Sequence, residues 1–345
     1  MTEWRECKLG DVITFQRGYD LPKDKMVRGI YPVVASNGII GFHNEYTTEN
    51  PCVTIGRSGN VGNPNIVYSR AWAHNTTLYI REYKNCDPVF IYYMLHTLDL
   101  GRYASGSAVP TLNRNHIHSI LISMPPLPEQ KAIAEVLSSL DDKIDLLTRQ
   151  NKTLEDLAQA YFRKWFIEDA SNKWEKKSLG EIVTINYGKA LPERERVSGK
   201  IPVYSSAGVT GWHNQYLVNS RGIVIGRKGT IGTIYWVPEP FYCIDTAYYI
   251  TPEDSKYDLT FIYFLLKTMS LQDLNEDSAV PGLNRNTIYS QEFLQPPDDL
   301  ICKFIRLSNT LLQKIQSNTA QIHALSKLRD TLLPKLISGE IRVKM

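Results

Sequence analysis

Two stretches of the chain carry apolar residues at alternating steps of four and three, the spacing of a helix with one buried stripe. In the first, Ile133, Leu140, Leu147, Leu154 and Tyr161 alternate with Leu137, Ile144, Asn151, Ala158 and Trp165. In the second, Phe304, Leu311, Asn318, Leu325 and Leu332 alternate with Ser308, Ile315, Ile322, Arg329 and Leu336. The first predicts a helix from about residue 129 to 166, roughly 55 Å long at 1.5 Å per residue. The second is imperfect at Ser308 and Arg329 but keeps the helical period. Proline clusters, Met124-Pro125-Pro126-Leu127-Pro128 and Gln295-Pro296-Pro297, precede both stretches and stiffen the hand-over into a helix. One such stripe is equally an ordinary core-facing helix; two matching stripes in one chain point to mutual packing. With a pseudo-two-fold axis near residue 149 the helices run antiparallel, which sets Asn151 opposite Asn318 and Leu147 opposite Ile322. Paired asparagines on an apolar seam can fix its register.

Ahead of each long helix the pattern changes to short β-branched and aromatic runs punctuated by Gly and Pro, which reads as strands and turns. Ile30-Tyr31-Pro32-Val33-Val34, Cys52-Val53-Thr54-Ile55 and Thr77-Leu78-Tyr79-Ile80 are matched by Ile201-Pro202-Val203-Tyr204, Ile223-Val224-Ile225 and Tyr248-Tyr249-Ile250. A short helix is predicted near Phe90–Leu95 and again near Phe261–Leu266. The fold class is therefore α+β: two tandem mixed α/β domains, separated and followed by long helices that pair as an antiparallel coiled coil.

These matches belong to a duplication. Trp4, Leu9-Gly10-Asp11-Val12-Ile13 returns as Trp174, Leu179-Gly180-Glu181-Ile182-Val183, about 170 residues later. Gly56-Arg57, Gly59 and Gly62 become Gly226-Arg227, Gly229 and Gly232, and Leu112-Asn113-Arg114-Asn115 becomes Leu283-Asn284-Arg285-Asn286. Solenoid repeats recur every 20 to 50 residues or so. This is a duplicated domain, and two like heads fit a target with two like parts.

At 345 residues there is room for two domains with their own cores. A net charge of +3 permits nucleic-acid binding without identifying it. The five cysteines show no Cys-x-x-Cys and no His cluster, which argues against zinc and a disulfide framework and for a reducing setting. The N-terminus lacks a signal-peptide run and no stretch reaches the 18 or so apolar residues of a membrane span. A soluble cytoplasmic protein without membrane association, bound metal or cofactor is expected.

The Gly-rich turns 56–62 and 226–232 are not P-loops, because no Gly-Lys-Ser/Thr follows at the required spacing. Two readings remain. They are strand-connecting turns in which glycine supplies positive φ, and their freed amides with Arg57 and Arg227 can grip phosphate. Ser58 and Asn60, facing Lys228 and Thr230 in the second copy, are then candidates for base edges. Arg114 and Arg285 are further DNA-binding candidates, whereas Asn113 and Asn284 read as helix caps. His43-Asn44 and His213-Asn214 lack a partner carboxylate or nucleophile and read as packed or turn-capping residues. Asp245 with Asp254-Ser255-Lys256 loosely matches a metal-dependent nuclease pattern, but the first copy has Asn75 and no such trio. The tyrosines fit half-buried strands, with base stacking open to them. No catalytic centre emerges.

Taken together, Trp-x5-Gly near the start of each copy, Val53-Thr54-Ile55-Gly56-Arg57-Ser58-Gly59, Ser107-Ala108-Val109-Pro110-Thr111-Leu112-Asn113, Pro125-Pro126-Leu127-Pro128-Glu129-Gln130-Lys131-Ala132-Ile133-Ala134 and Leu325–Leu336 give the chain a marked likeness. It resembles, over essentially its whole length, a type I restriction-modification specificity subunit. The resemblance implies target-recognition domains over residues 1–124 and 169–295 and spacer helices over 125–168 and 296–345. It implies a non-catalytic subunit that reads a bipartite, asymmetric site on double-stranded DNA. It further implies docking of two methyltransferase subunits carrying S-adenosylmethionine and of restriction subunits with ATPase and Mg-dependent nuclease activity. No Asn-Pro-Pro-Tyr-like methylation motif is present. The second proline cluster departs from the pattern, continuing Asp298-Asp299-Leu300-Ile301, and the chain is short for the family, so minimal recognition domains are expected. The alternatives are a two-headed protein-binding scaffold and a stand-alone DNA-modifying enzyme.

Overall fold

A computed structural model describes residues 4–106, 110–274 and 282–343. The chain forms two compact units, residues 1–146 with 321–345 and residues 147–320. In the first unit, strands Ile13–Arg17, Thr77–Tyr83, Cys52–Gly56 and Pro64–Val67 lie in that order in an antiparallel four-stranded sheet. Cys52–Gly56 is buried at every residue because both its faces are covered. Val53 and Ile55 join the main core, while Cys52 packs with Val34 and Ala71 beneath a second, three-stranded sheet. That sheet is the hairpin Tyr31–Ala35 and Gly38–His43 with the parallel strand Trp72–Ala73.

Helix Pro88–Thr97 closes the core. Asp87 caps it by accepting from the amides of Val89 (3.0 Å) and Phe90 (2.9 Å), and proline follows at the first turn. It buries Phe90, Ile91, Met94 and Leu95 against Val53, Ile55, Leu78 and Ile80. Ile133 and Leu137 of the first long helix, with Leu336 and Ile337 of the second, complete the same cluster.

The second unit repeats this plan. Asn186–Tyr187, Ala247–Ile250, Gly222–Gly226 and Ile234–Val237 form its four-stranded sheet, and Gly208–His213, Ile201–Ser205 and Tyr242–Cys243 its three-stranded one. Helix Leu259–Lys267, capped by Asp258 on the Thr260 amide (2.8 Å), is buried from Leu259 to Leu266. Phe162, Phe166, Phe261, Phe264 and Phe304 interlock with ring centroids 4.8–6.5 Å apart, mostly in the tilted or edge-on arrangements that aromatic quadrupoles favour.

The long helices are Leu127–Arg163, continued by one π-helical turn Lys164–Glu168, and Asp298–Ser338. They pair antiparallel within each unit. In the first, Asp141 meets Arg329 at 2.7 Å, and Glu129, further upstream, meets Arg342 at 2.8 Å. In the second, Asn318 Nδ2 donates to Asn151 Oδ1 at 2.9 Å, while Phe162 packs on Phe304. The two interruptions of the second stripe are accommodated: Ser308 is buried and donates back to Phe304 O (2.7 Å), and Arg329 carries the Asp141 ion pair. The end of the first stripe differs from its expected form. Tyr161 is exposed, Trp165 half-buried, and Phe162 and Phe166 take the core positions. A straight helix turns in 3.6 residues, so a strict seven-residue stripe drifts, and steps of four from Ala158 follow the true face.

Asn318 is fully buried, donates also to Gln150 Oε1 (2.9 Å), and keeps its Oδ1 without a partner. Such a group costs stability unless paired. Asn318→Leu is expected to lower stability by about 1 kcal/mol, by removing the bonds it donates to Asn151 and Gln150. Adding Asn151→Leu should recover most of that loss, measured as urea-unfolding midpoints.

Candidate functional site

Strand Cys52–Gly56 runs directly into the first Gly-rich turn. A Cβ on Gly56 would sit 1.7 Å from Asn60 O, so the chain can double back there only at glycine. Gly59 and Gly62 have φ of +80° and +82°, and Gly62 N–H closes the turn on Gly56 O (2.8 Å). The second copy does the same, with Gly232 N–H on Gly226 O at 2.9 Å. Part of the turn's backbone is engaged within the fold. Arg57 and Ser58 donate theirs to Thr76 O, and Arg227 and Lys228 donate theirs to Thr246 O. Two amides at the start of each turn are thus spent on folding it against the neighbouring segment, and the side chains beside it add further donors.

Those side chains converge. The amide of Leu112 donates to Arg57 O and that of Leu283 to Arg227 O, both at 2.9 Å. Each turn is thereby tied to the segment entering the short helices Arg114–His118 and Arg285–Tyr289. Arg57 Nη1 donates to Asn75 O (3.3 Å), Arg114 Nη1 to Phe15 O (3.4 Å), Arg227 Nη1 to Asp245 O (3.3 Å) and Arg285 Nη1 to Ile185 O (3.3 Å). Each guanidinium is thus aimed by a backbone carbonyl rather than neutralised. Among the described residues none of the four has an ion-pair partner, and Arg285 Nε is buried without a hydrogen-bond partner. Asn60, Lys228 and Thr230 are exposed and Ser58 is half-buried.

Two residues that sequence reasoning passed over join this face. Tyr187 lies between Arg227 and Arg285, its ring 5.0 and 4.9 Å from their Cζ atoms. Arg17 holds the corresponding place in the first unit, where burial, then the charge of Arg17, holds Arg57 below the usual arginine range. The signal for both was the glycine that follows. A Cβ on Gly18 or Gly188 would lie 2.1 or 2.0 Å from a backbone oxygen of the neighbouring strand.

The remaining candidates are structural. Asn113 and Asn284 cap their helices, accepting from the amides of Asn115 (3.0 Å) and Asn286 (2.9 Å). His43 and His213 are buried, and each Nδ1 accepts from an amide, Val27 at 3.1 Å and Val197 at 3.0 Å. Asp254 caps a short turn through Thr251 and also accepts from Asn186 Nδ2 (2.7 Å). Segments 107–109 and 278–281, which include Ser107-Ala108-Val109 and Ser278-Ala279-Val280-Pro281, lie outside the described residues. Burial pushes the Cys52 and Cys86 thiols up to about 11 and Cys243 to about 12, so they stay protonated near neutrality. Among the described residues no group of three His, Cys, Asp or Glu could hold a metal ion, and no helix is long and apolar enough to cross a membrane.

The sequence profile of the type I restriction modification DNA specificity domain matches residues 1–156 and again 171–317. The type I restriction enzyme MjaIX specificity subunit of Methanocaldococcus jannaschii is 29% identical over 299 residues, covering 74% of this chain and 69% of its own. The MjaVIII specificity subunit of the same organism is 22% identical, covering 99% and 94%. A crystal structure of a type I restriction-modification system S subunit from M. genitalium superposes with a TM-score of 0.67 at 21% identity. That match covers 99% of this chain and 96% of the other.

One acceptor on the arginine face titrates. His118 Nε2 accepts from the Phe15 amide (3.1 Å), a task that the Tyr289 hydroxyl performs for Ile185 (2.8 Å) in the second unit. Burial, then the charges of Arg114 and Lys84, holds His118 below the usual 6.5. A depressed imidazole value favours the neutral folded form, so this contribution is complete above pH 6.5 and is lost as pH falls through the folded value. The unfolding midpoint of the first unit should therefore drop between about pH 7.5 and about pH 5. His118→Tyr should reduce that drop, leaving the part due to His74 and His96, which burial also depresses.

Proposed function

This chain belongs to the type I restriction modification DNA specificity family, and on that premise we propose that it reads a bipartite, asymmetric site on double-stranded DNA, one half with each head. Specificity subunits have a non-catalytic recognition role in a restriction-modification complex. The observation that carries the reading is the pair of carbonyl-aimed arginines, free of ion pairs among the described residues, that recurs in both heads: Arg57 with Arg114 and Arg227 with Arg285. Guanidinium groups held this way bind phosphate oxygens or guanine edges. Ser58 and Asn60 in one turn stand where Lys228 and Thr230 stand in the other, which supports different half-sites.

The complex assembles with two methyltransferase subunits, which bring S-adenosylmethionine, and with restriction subunits, which bring ATP- and Mg-dependent cleavage. Residues 1–124 and 169–295 serve as the target-recognition domains and the segments around the long helices as spacers. Asn151 and Asn318 set the helix register, since a pair that leaves Asn318 Oδ1 unsatisfied is better suited to specifying alignment than to adding stability.

Methylation mapping in a host with and without this gene should return two short half-sites separated by a fixed unread gap. A scaffold that bound only proteins would leave the methylation pattern unchanged, and its DNA binding would lack the steep salt dependence of counterion release. Replacing residues 1–123 with another recognition domain should change one half-site only. Inserting seven residues between Leu147 and Leu154, with a matching block between Asn318 and Leu325, lengthens each helix by about 10 Å. The gap should grow by about three base pairs, at 3.4 Å each; an unchanged gap rules out the spacer role.

A further inference from the structure

The two heads differ in charge at two positions of the arginine face, Ser58 against Lys228 in the turn and Arg17 against Tyr187 beside it, and strand register fixes the second equivalence. In the second unit Tyr187 pairs with Tyr248, and Tyr248 with Ile225. In the first, Arg17 pairs with Leu78, and Leu78 with Ile55. Residues paired across strands share a face, as do residues two apart along a strand. Arg227 and Arg57 follow Ile225 and Ile55 by two, so each reaches the face of Tyr187 or Arg17.

In the second unit this produces a stack. The 46% exposed Tyr187 ring has the Arg227 and Arg285 guanidiniums 5.0 and 4.9 Å from its centre and lies edge-on to Tyr248, 5.0 Å between centroids. An aromatic face between two cations offsets their repulsion. In the first unit the same place holds a third guanidinium. Arg17 is exposed, Leu78 replaces the second tyrosine, and among the described residues Arg17, Arg57 and Arg114 form no ion pair. Three clustered cations repel one another, and a polyanion relieves that repulsion.

We propose that this position, Arg17 in the first head and Tyr187 in the second, changes by one the number of DNA phosphates that the arginines of its head neutralise. The three-arginine cluster takes one phosphate more than the Arg–Tyr–Arg stack. The proposal rests on the DNA-reading role argued above. Arg17 thus adds to the salt sensitivity of the first head without changing the bases it reads, as the exposed Lys228 of the turn does separately for the second.

The chain assembled with its methyltransferase subunits is titrated, over a range of salt, with the duplex it methylates and with an unrelated duplex. Arg17→Tyr is expected to reduce the slope of log affinity against log salt by about one on both duplexes. Arg17→Gln, which introduces no ring, should lose the same amount, Arg17→Lys should retain the slope, and Tyr187→Arg should steepen it by about one. A steep wild-type slope left intact by Arg17→Tyr and Arg17→Gln overturns the inference while leaving DNA reading in place. A changed methylated half-site in either variant overturns it as well. A wild-type complex whose affinity ignores salt overturns the DNA-reading role, and the inference with it.

Discussion

The antiparallel contact between the two long helices is the constraint on which each unit depends, because neither head has a complete core without both. In the first unit the cluster around Phe90 and Met94 is finished by Ile133 and Leu137 from one helix and by Leu336 and Ile337 from the other. In the second, Phe162 and Phe166 meet Phe304 between the head and the helix pair. Residues from nearly opposite ends of the chain therefore bury one another, and the apolar area removed from water is shared between segments that cannot be separated without exposing it.

Polar groups are paired along the same contact. Glu129 is 1% exposed, accepts from Trp4 Nε1 at 3.2 Å and from Arg342, and so ties both chain ends to the start of the first long helix. The corresponding residue of the second copy is Leu300. Desolvating a carboxylate offsets much of what its ion pair returns, but an unpaired buried charge is far costlier, so only the correct alignment is tolerated. Asn151 pairs with Asn318 along the same contact, and Asp141 pairs with Arg329 and the Tyr93 hydroxyl (2.6 Å).

Duplication also explains how the two heads keep one scaffold and present different surfaces. The turn-forming glycines, the helix-capping asparagines and the carbonyls that aim the arginines recur in both copies. Variation falls on side chains outside those hydrogen bonds, as at Ser58 against Lys228 and Arg17 against Tyr187. His118 and Tyr289 mark the boundary between the two kinds of change: different residues, one structural task, since either can accept the same strand amide.

Much was legible from residue pattern. Period and proline placement located both long helices, the β-branched runs located the strands, and the offset copies established two homologous heads, because each of these is set by local backbone preference and by which side chains avoid water. The asparagines before Arg114 and Arg285 read as caps for the same local reason. Pattern alone did not reveal that Thr76 and Thr246 each take two amides of the adjoining turn, that the buried stripe passes from Tyr161 to Phe162, or that Arg17 and Tyr187 lie on the arginine face. Those depend on which strand lies beside which and on the true pitch of a straight helix. Residues that lie well apart in the chain become neighbours only once the sheet closes, and a linear sequence carries no record of that distance.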